Sequence, residues 1–494
     1  MTVTPLFAYA PWVLAAFYGL LGFFFGGLAE RKTYCMVVAT HKMMGLRYDR
    51  IYEMILVSIG VSALGTGILV AAGIVPIPDA FAFLPGAGWF TLLGAFIFGF
   101  GMMLGQGCMV GMLWKSGSGY VVNWFELIGL ALGTILFAFP VFNVLNLSYW
   151  WKSNTAFSIA NGSSLNYIPN LLGGGAAGPL IAGILIFAAI LSVSLLLRRR
   201  RIENEGRTGA RELRALAGSP YLMGAIFALF MLASFLFAAG RLFNYLGVTT
   251  PVGLFSQYLL APFGVMLGSK SAPVNWYQTV TVTNPFTFFI LMIVSGSAVF
   301  SIARGSFRVR MPGGTVNRAA EFLIAFSGGV ILAIGARIAQ GCSVGGFWSG
   351  LAGLSLFGLI FTIGIIPGSV AGYYTYMALS SRASSLSGRK TGRRSRSAIS
   401  GGMSGRDVAG AYVFSAALGL AIVAIGEISL HVNALYAKKI GGVAIAQETN
   451  ILIAFGFMTI VLGMIASTAN LIRVRRALLL KRTVPAENRR PGVT

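Results

Sequence analysis

The chain has 494 residues, 56% of them hydrophobic and 10% charged, with a formal net charge of +24 and a mean hydropathy of +0.79. A water-soluble domain needs far more charge than this to clothe its surface, so a large soluble core is excluded. Nucleic acid is excluded as a partner too. Lys and Arg pool in short connections (Leu195–Arg214, Ala303–Arg318, Ser380–Ser397, Arg473–Arg482). That is the pattern of basic residues held cytoplasmic beside membrane helices, against anionic lipid head groups. No isolated basic domain or aromatic RNA platform accompanies it.

Apolar runs of about 20 residues, enough to cross a roughly 30 Å hydrocarbon layer, recur along the chain. They predict an all-α polytopic membrane protein of about 11 transmembrane helices. The first, Pro11–Ala29, has no Lys or Arg before Arg31. It lacks a signal peptide's basic start and cleavage site, and reads as a retained helix that starts outside. Basic Glu30–Arg50 follows inside. Helix 2 is Ile51–Ile74, helix 3 Trp89–Gly107, helix 4 Val121–Leu145 and helix 5 Leu171–Leu197, which ends in four arginines. The second half starts inside, with helix 6 at Tyr221–Ala239. Gly240–Asn284 is too mixed for two crossings and predicts a segment re-entrant from outside. Helix 7 is Pro285–Ala303, helix 8 Ala320–Gln340, helix 9 Leu354–Leu379, helix 10 Val408–Ser429 and helix 11 Asn450–Ile472. The domains expected are a first transmembrane repeat (1–197), a basic cytoplasmic linker (198–219), a second, inverted repeat (220–379), a Ser/Arg-rich cytoplasmic linker (380–407), carboxy-terminal helices (408–472) and a basic cytoplasmic tail (473–494).

The division into repeats rests on a duplicated motif. Gly94–Trp114 and Gly328–Trp348 align without gaps, with nine identities in 21 positions. Both contain Gln-Gly-Cys-x-Val-Gly-x-x-Trp: Gln106, Gly107, Cys108, Gly111 and Trp114 in the first, Gln340, Gly341, Cys342, Gly345 and Trp348 in the second. Helices 1–5 begin outside and helices 6–10 inside, so the halves run in opposite directions. Inverted repeats are common in transporters, whose sites lie where the halves meet. Glycine-broken backbone at membrane depth is tolerated only against protein or a wet cavity. Each motif therefore predicts a broken helix whose second piece turns free N–H groups toward an anion.

The side chains suit such a ligand. Cys108 and Cys342 offer a weak S–H donor and a polarisable sulfur, and Gln106 and Gln340 offer amides. Arg337 stands in an otherwise apolar helix, where a charge is a functional candidate; the bland alternatives are snorkelling or pairing with Glu321. Trp114 and Trp348 read as interfacial or packing anchors. Cys35 follows helix 1 at the reducing cytoplasmic end, in a more solvated site. No cysteine has metal-ligand spacing, His41 and His431 are isolated, and no cofactor is implied.

At these residues the chain resembles the YeeE/YedE family of sulphur-compound membrane transporters, which includes thiosulfate permeases. The matches are the two Gln-Gly-Cys-x-Val-Gly segments, Arg31–Cys35 after helix 1 and Tyr245–Pro251 in the second half, over roughly Leu14–Tyr374. The resemblance implies an inverted-repeat, hourglass-like permease for thiosulfate in a bacterial inner membrane, with Cys35, Cys108 and Cys342 along the path and a cytosolic TusA-like sulfurtransferase as partner. A Pro and an Arg typical of the selenium-linked branch are missing after each cysteine. Two other functions stay open: a membrane sulfurtransferase carrying a cysteine persulfide, and a structural or assembly subunit. No base stands beside any cysteine in the sequence, which a nucleophilic thiol usually needs, so the chain is not expected to be an enzyme.

Overall fold

The computed structural model describes residues 11–45, 50–75, 84–137, 144–173, 175, 177–205, 219–238, 248–249, 251–252, 285–312, 318–386, 405–440 and 445–483. Helices dominate them. In chain order they are α1 (Pro11–Lys32), α2 (Met36–Met44), α3 (Arg50–Ala71), α4 (Trp89–Gly105), α5 (Met109–Gly117), α6 (Val121–Leu136), α7 (Leu147–Lys152), α8 (Ile168–Leu171), α9 (Gly178–Glu205), α10 (Pro220–Ala238), α11 (Pro285–Ala303), α12 (Arg318–Ile338), α13 (Ser349–Ala352), α14 (Leu356–Leu386), α15 (Gly405–Ile440) and α16 (Ile445–Thr483). A π-helical turn, Ser343–Trp348, precedes α13. The only sheet among the described residues is one two-residue pair, β1 (Ala87–Gly88) with β2 (Ser158–Ile159), antiparallel with Ala87 opposite Ile159.

Among the described residues ten apolar stretches are long enough to cross a membrane, and α6 is a shorter eleventh. The protein is thus an all-α polytopic membrane protein. Several helices overrun their apolar cores. α9 continues through Arg198–Arg201 to Glu205, and α16 through Arg473–Arg476 to Thr483. Hydropathy marks where a helix leaves lipid, whereas Arg and Leu are good helix formers and carry it on into water. α6 is described over Val121–Leu136, and most of the rest of the expected helix, to Leu145, lies outside the described residues. The expected re-entrant segment at Gly240–Asn284 lies almost wholly outside the described residues, as does most of the Ser/Arg-rich linker.

Close contacts between small residues fix the directions of the helices. A Cβ on Gly94 would strike Ala339, one on Gly335 Phe98, one on Gly101 Leu332, and one on Gly328 Gly105. Residue numbers rise along α4 as they fall along α12, so these two helices are antiparallel. The four glycines are the two matched pairs of the duplicated motif. Without a hydrophobic force between helices in lipid, such small residues allow the close backbone approach that drives packing.

The remaining pairs come in matched sets. α1 runs parallel to α11, through Gly22 on Phe289 and Gly26 on Ile293; α3 runs parallel to α10, through Gly224 on Met54 and Gly65 on Leu232. α6 runs parallel to α12 (Gly129 on Phe326, Gly133 on Val330), and α14 to α4 (Gly364 on Leu92, Gly368 on Phe96). Exchanging α1, α3, α4 and α6 for α10, α11, α12 and α14 turns each pair into another pair of the set. That interchange, with α4 and α12 antiparallel at its centre, is the signature of an inverted repeat. α15 and α16 stand outside it as a hairpin, laid on α1 and α11 through Ile422, Leu452 and Phe455 against Ala15, Phe23, Phe288 and Met292.

Candidate functional site

Both motifs break their helix in the same way. α4 ends on Gln106 in the left-handed conformation (φ 66°), and α12 is followed by Gln340 in the same conformation (φ 57°). A side chain there is disfavoured by clash of its Cβ with the following carbonyl, and glycine is the usual occupant. The strain is kept twice, at matched positions, which is the pattern of a functional constraint. The chain then turns through Gly107 or Gly341 to a cysteine with extended backbone.

Each cysteine caps the helix that follows. Cys108 Sγ accepts from Gly111 N at 3.3 Å, and Cys342 Sγ from Gly345 N at 3.2 Å. This is the geometry by which Ser caps a helix at its third N–H, with a softer atom in its place. The sulfur spends a lone pair on the backbone, and the S–H remains to donate. One of the N–H groups expected to face an anion is therefore held by the thiol itself.

Cys35 joins the first corner. It lies between α1 and α2, with its Sγ 3.9 Å from Cys108 Sγ. A Cβ on Gly111 would lie 2.5 Å from Cys35 Sγ and 3.2 Å from Cys108 Sγ, so only glycine fits beneath the two thiols. The solvated setting expected for Cys35 is overturned: it is 0% exposed. Its position at the end of α1 does not place it in water, because it packs against Cys108 and Gly111 at the start of α5. Cys342 is also buried, in the same apolar cluster as Cys35 and Cys108. All three thiols are free.

Tyr34 ties the two corners together. Its carbonyl accepts from Trp114 Nε1 at 3.1 Å, its ring lies 5.7 Å from that of Trp348, and its hydroxyl bonds Ser58 at 2.8 Å. Trp348 Nε1 donates to Ser62 Oγ on the same helix, α3, at 3.1 Å. Both tryptophans are buried packing anchors with satisfied N–H groups, rather than interfacial ones. The half-helix α5 penetrates to mid-helix on α11, where Gly117 lies on Val294.

Around this shared frame the two corners differ. The first is polar. Gln106 Nε2 donates to Tyr376 Oη at 2.9 Å and lies 3.5 Å from Glu321 Oε1. Lys115 Nζ, on α5, donates to Gln106 O at 2.5 Å. Glu126, on α6 and 0% exposed, accepts from Asn123 Nδ2 at 2.7 Å. Its carboxyl lies directly on Gly105 and Gly107, where no Cβ fits. At the second corner aromatic rings lie on the glycines. Gly341 lies under Phe357 and Gly346 under Phe361. Gln340 Nε2 and Ser343 Oγ are buried there with no hydrogen-bond partner.

Arg337 takes neither of its bland alternatives. It is 6% exposed, and its guanidinium donates to Thr249 O at 2.8 Å. Glu321 lies at the opposite end of α12, by Gln106. Thr249 belongs to the Tyr245–Pro251 stretch of the second half, of which Val248, Thr249 and Pro251 are described. Each corner thus meets a segment earlier in its own half, through a thiol pair in one and an arginine in the other. Among the described residues no group of His, Cys, Asp and Glu is placed to hold a metal. His41 lies beside Tyr373 and Tyr376, 5.1 and 6.0 Å between ring centres.

Sequence reasoning left Lys115 and Glu126 without a role. The signal was present, since they are the only Asp, Glu, Lys or Arg between Ala87 and Trp151. An ionisable side chain at helix centre costs about 2.5–3.5 kcal/mol by insertion scales and is functional by default.

Paired broken helices that meet in a buried thiol-lined core, inside an inverted repeat, define a multi-pass membrane protein of the transporter class. The chain belongs to the sulphur transport family, whose model matches residues 31–371. It is similar to the thiosulfate transporter TsuA of Escherichia coli (strain K12), 27% identical over 333 residues that cover 66% of this chain and 84% of that protein. The thiosulfate transporter TsuA of Spirochaeta thermophila is 24% identical over 365 residues, covering 71% and 95%. The probable transporter YedE of Escherichia coli is 26% identical over 174 residues, 35% of this chain and 39% of that one.

Proposed function

We propose that the protein is a thiosulfate permease of a bacterial inner membrane, with its amino terminus outside and its carboxy terminus in the cytoplasm. One observation carries the reading: Cys35 and Cys108 lie 3.9 Å apart in a buried core, on a helix break that the second half repeats around Cys342. Thiosulfate ends in a soft sulfur. A thiol donates to it weakly, and weak sites in series let an ion enter and still leave. Sulfate offers only hard oxygens to the same groups.

Inversion of the halves directs Cys342 to the outer side and Cys108 to the inner side, and Cys35 stands against Cys108 as the last thiol before the cytoplasm. Gln106 and Gln340 set the breaks, with Gly107, Gly341, Gly111 and Gly345 as their hinge and cap positions. Arg337 supplies positive potential at the second corner while it holds the Thr249 carbonyl. The 198–219 linker divides the two repeats, and a TusA-like sulfurtransferase receives the sulphur on the cytoplasmic face.

Labelled thiosulfate uptake into proteoliposomes tests the reading, with sulfate and sulfite as competitors. Uptake that unlabelled thiosulfate suppresses and equal sulfate does not is the expected result. Equal competition by sulfate would remove the thiols from selectivity. A persulfide on Cys108 or Cys342 after exposure to thiosulfate, found by mass spectrometry, would favour the sulfurtransferase instead. The surroundings of Cys108 support the permease, since the hydrogen-bond partners of its sulfur are a thiol and backbone N–H groups.

A further inference from the structure

The thiol pair has a charged neighbourhood that the permease reading leaves unused. Lys115 stands seven residues after Cys108, two turns along α5 and so on the same face. It is held at the corner by its 2.5 Å bond to Gln106 O. Glu126 reaches the other side of that corner from α6 and lies on Gly105 and Gly107. One of its oxygens takes the Asn123 amide; the other, Oε1, is buried without a hydrogen-bond partner. As an anion this carboxyl is held by the Asn123 amide, and a further negative charge brought beside it would be poorly compensated.

A dianion arriving at Cys35 and Cys108 would bring a second negative charge beside Glu126. Like charges close together in a poorly solvated site favour protonation of the weaker acid. Lys115, held on the Gln106 carbonyl, would face the anion as its counter-cation. From α12 and α14 the same corner faces Glu321 and Tyr376, both on Gln106, and from α2 His41 stands against Tyr376. Of these, Glu126 is the carboxyl seated directly on the glycine before Cys108. At the matched corner by Cys342, the ring of Phe357 lies on Gly341 where Glu126 lies on Gly107, and no acid does so among the described residues.

We propose that Glu126 takes up a proton when a sulphur anion binds beside Cys108, with Lys115 as the fixed counter-cation, so that a proton enters with the anion. This inference rests on the permease reading. No bond other than that to the proton is made or broken. The proton comes from the aqueous side of entry and leaves Glu126 as the anion departs.

The test uses the full chain in proteoliposomes with the membrane potential clamped. Adding thiosulfate to a weakly buffered outer medium should make that medium more alkaline. An acid-outside gradient should raise steady-state accumulation by up to about tenfold per unit of pH difference, the limit for one proton per anion. In Glu126→Gln both responses should vanish, and Glu126→Asp should retain them in part. Thiosulfate entry by the parent protein without alkalinisation overturns the proposal, and needs no variant to fold. An undiminished gradient response in Glu126→Gln overturns it as well. Absence of any thiosulfate entry removes the permease reading first, and this inference with it.

Discussion

At the scale of single residues, the molecule places a thiol where a helix cap is required. The S–H can serve a ligand because the lone pair already serves the backbone. Ser at Cys108 keeps the cap and loses the soft sulfur, so Cys108→Ser should insert normally. Its uptake should fall about tenfold or more, the factor that some 1.4 kcal/mol represents. Cys35→Ser should be about as damaging, since Cys35 is buried against Cys108 rather than solvated. Parental uptake in both variants would reduce the thiols to packing. Gly111→Ala adds a methyl at 2.5 Å from Cys35 Sγ. It should separate the two thiols and depress uptake at least as strongly, in protein that still elutes as a folded species. The corners were legible from sequence because their causes are local: Gln-Gly breaks the helix, and Cys-x-x-Gly caps the next. The Cys35–Cys108 contact was not, because the two cysteines stand 73 positions apart, with α3 and α4 between them in the chain. Lys115 and Glu126 were visible as anomalies, but their meeting at one corner is a tertiary fact.

At the scale of helices, the central pair α4 and α12 depends on atoms that are absent. Gly101 lies on Leu332 and Gly328 on Gly105, so any side chain at either glycine must push the backbones apart. Overpacking of a close contact costs about 1–3 kcal/mol and more where the backbone is rigid. Gly328→Val should lower the thermal midpoint of the detergent-solubilised protein and reduce the yield of inserted protein. Gly410→Val, at a glycine with open space around it, should do neither. Comparable losses at both positions would show that glycine content, not this crossing, limits stability. The sequence announced the glycines as identities between the halves without saying what they touch. Only the antiparallel register, in which Gly94 meets Ala339 and Gly105 meets Gly328, explains their survival in both copies.

At the scale of the whole molecule, direction through the bilayer follows from where the arginines sit. Substituted cysteines at Arg199 and Arg406, in a background that keeps the native thiols shielded, should react only with a reagent that reaches the cytoplasm. Labelling from outside at either would reverse the assignment of the corners to the two faces. The hairpin of α15 and α16 poses a separate question, because it lies beyond the residues that the family model matches. It is fastened to the repeat by polar as well as apolar contacts: Ser295 Oγ to Thr459 Oγ1 at 2.5 Å, and Asn470 Nδ2 to the carbonyl of Ile302, both on α11. Buried polar pairs between membrane helices contribute about 0.6–2 kcal/mol each. Yet every thiol, glutamine and charged group of the two corners falls between Cys35 and Tyr376, ahead of the hairpin. α11 also carries Val294 and Ser297, against which the tip of α5 rests at Gly117. The hairpin therefore acts on the site as a brace behind α11, not as a wall of the path. Ending the chain after residue 386 should lower the thermal midpoint while uptake per inserted molecule persists with its preference for thiosulfate over sulfate. If the shortened protein inserts, holds its midpoint and loses uptake, the hairpin contributes to the path itself and the brace must be abandoned.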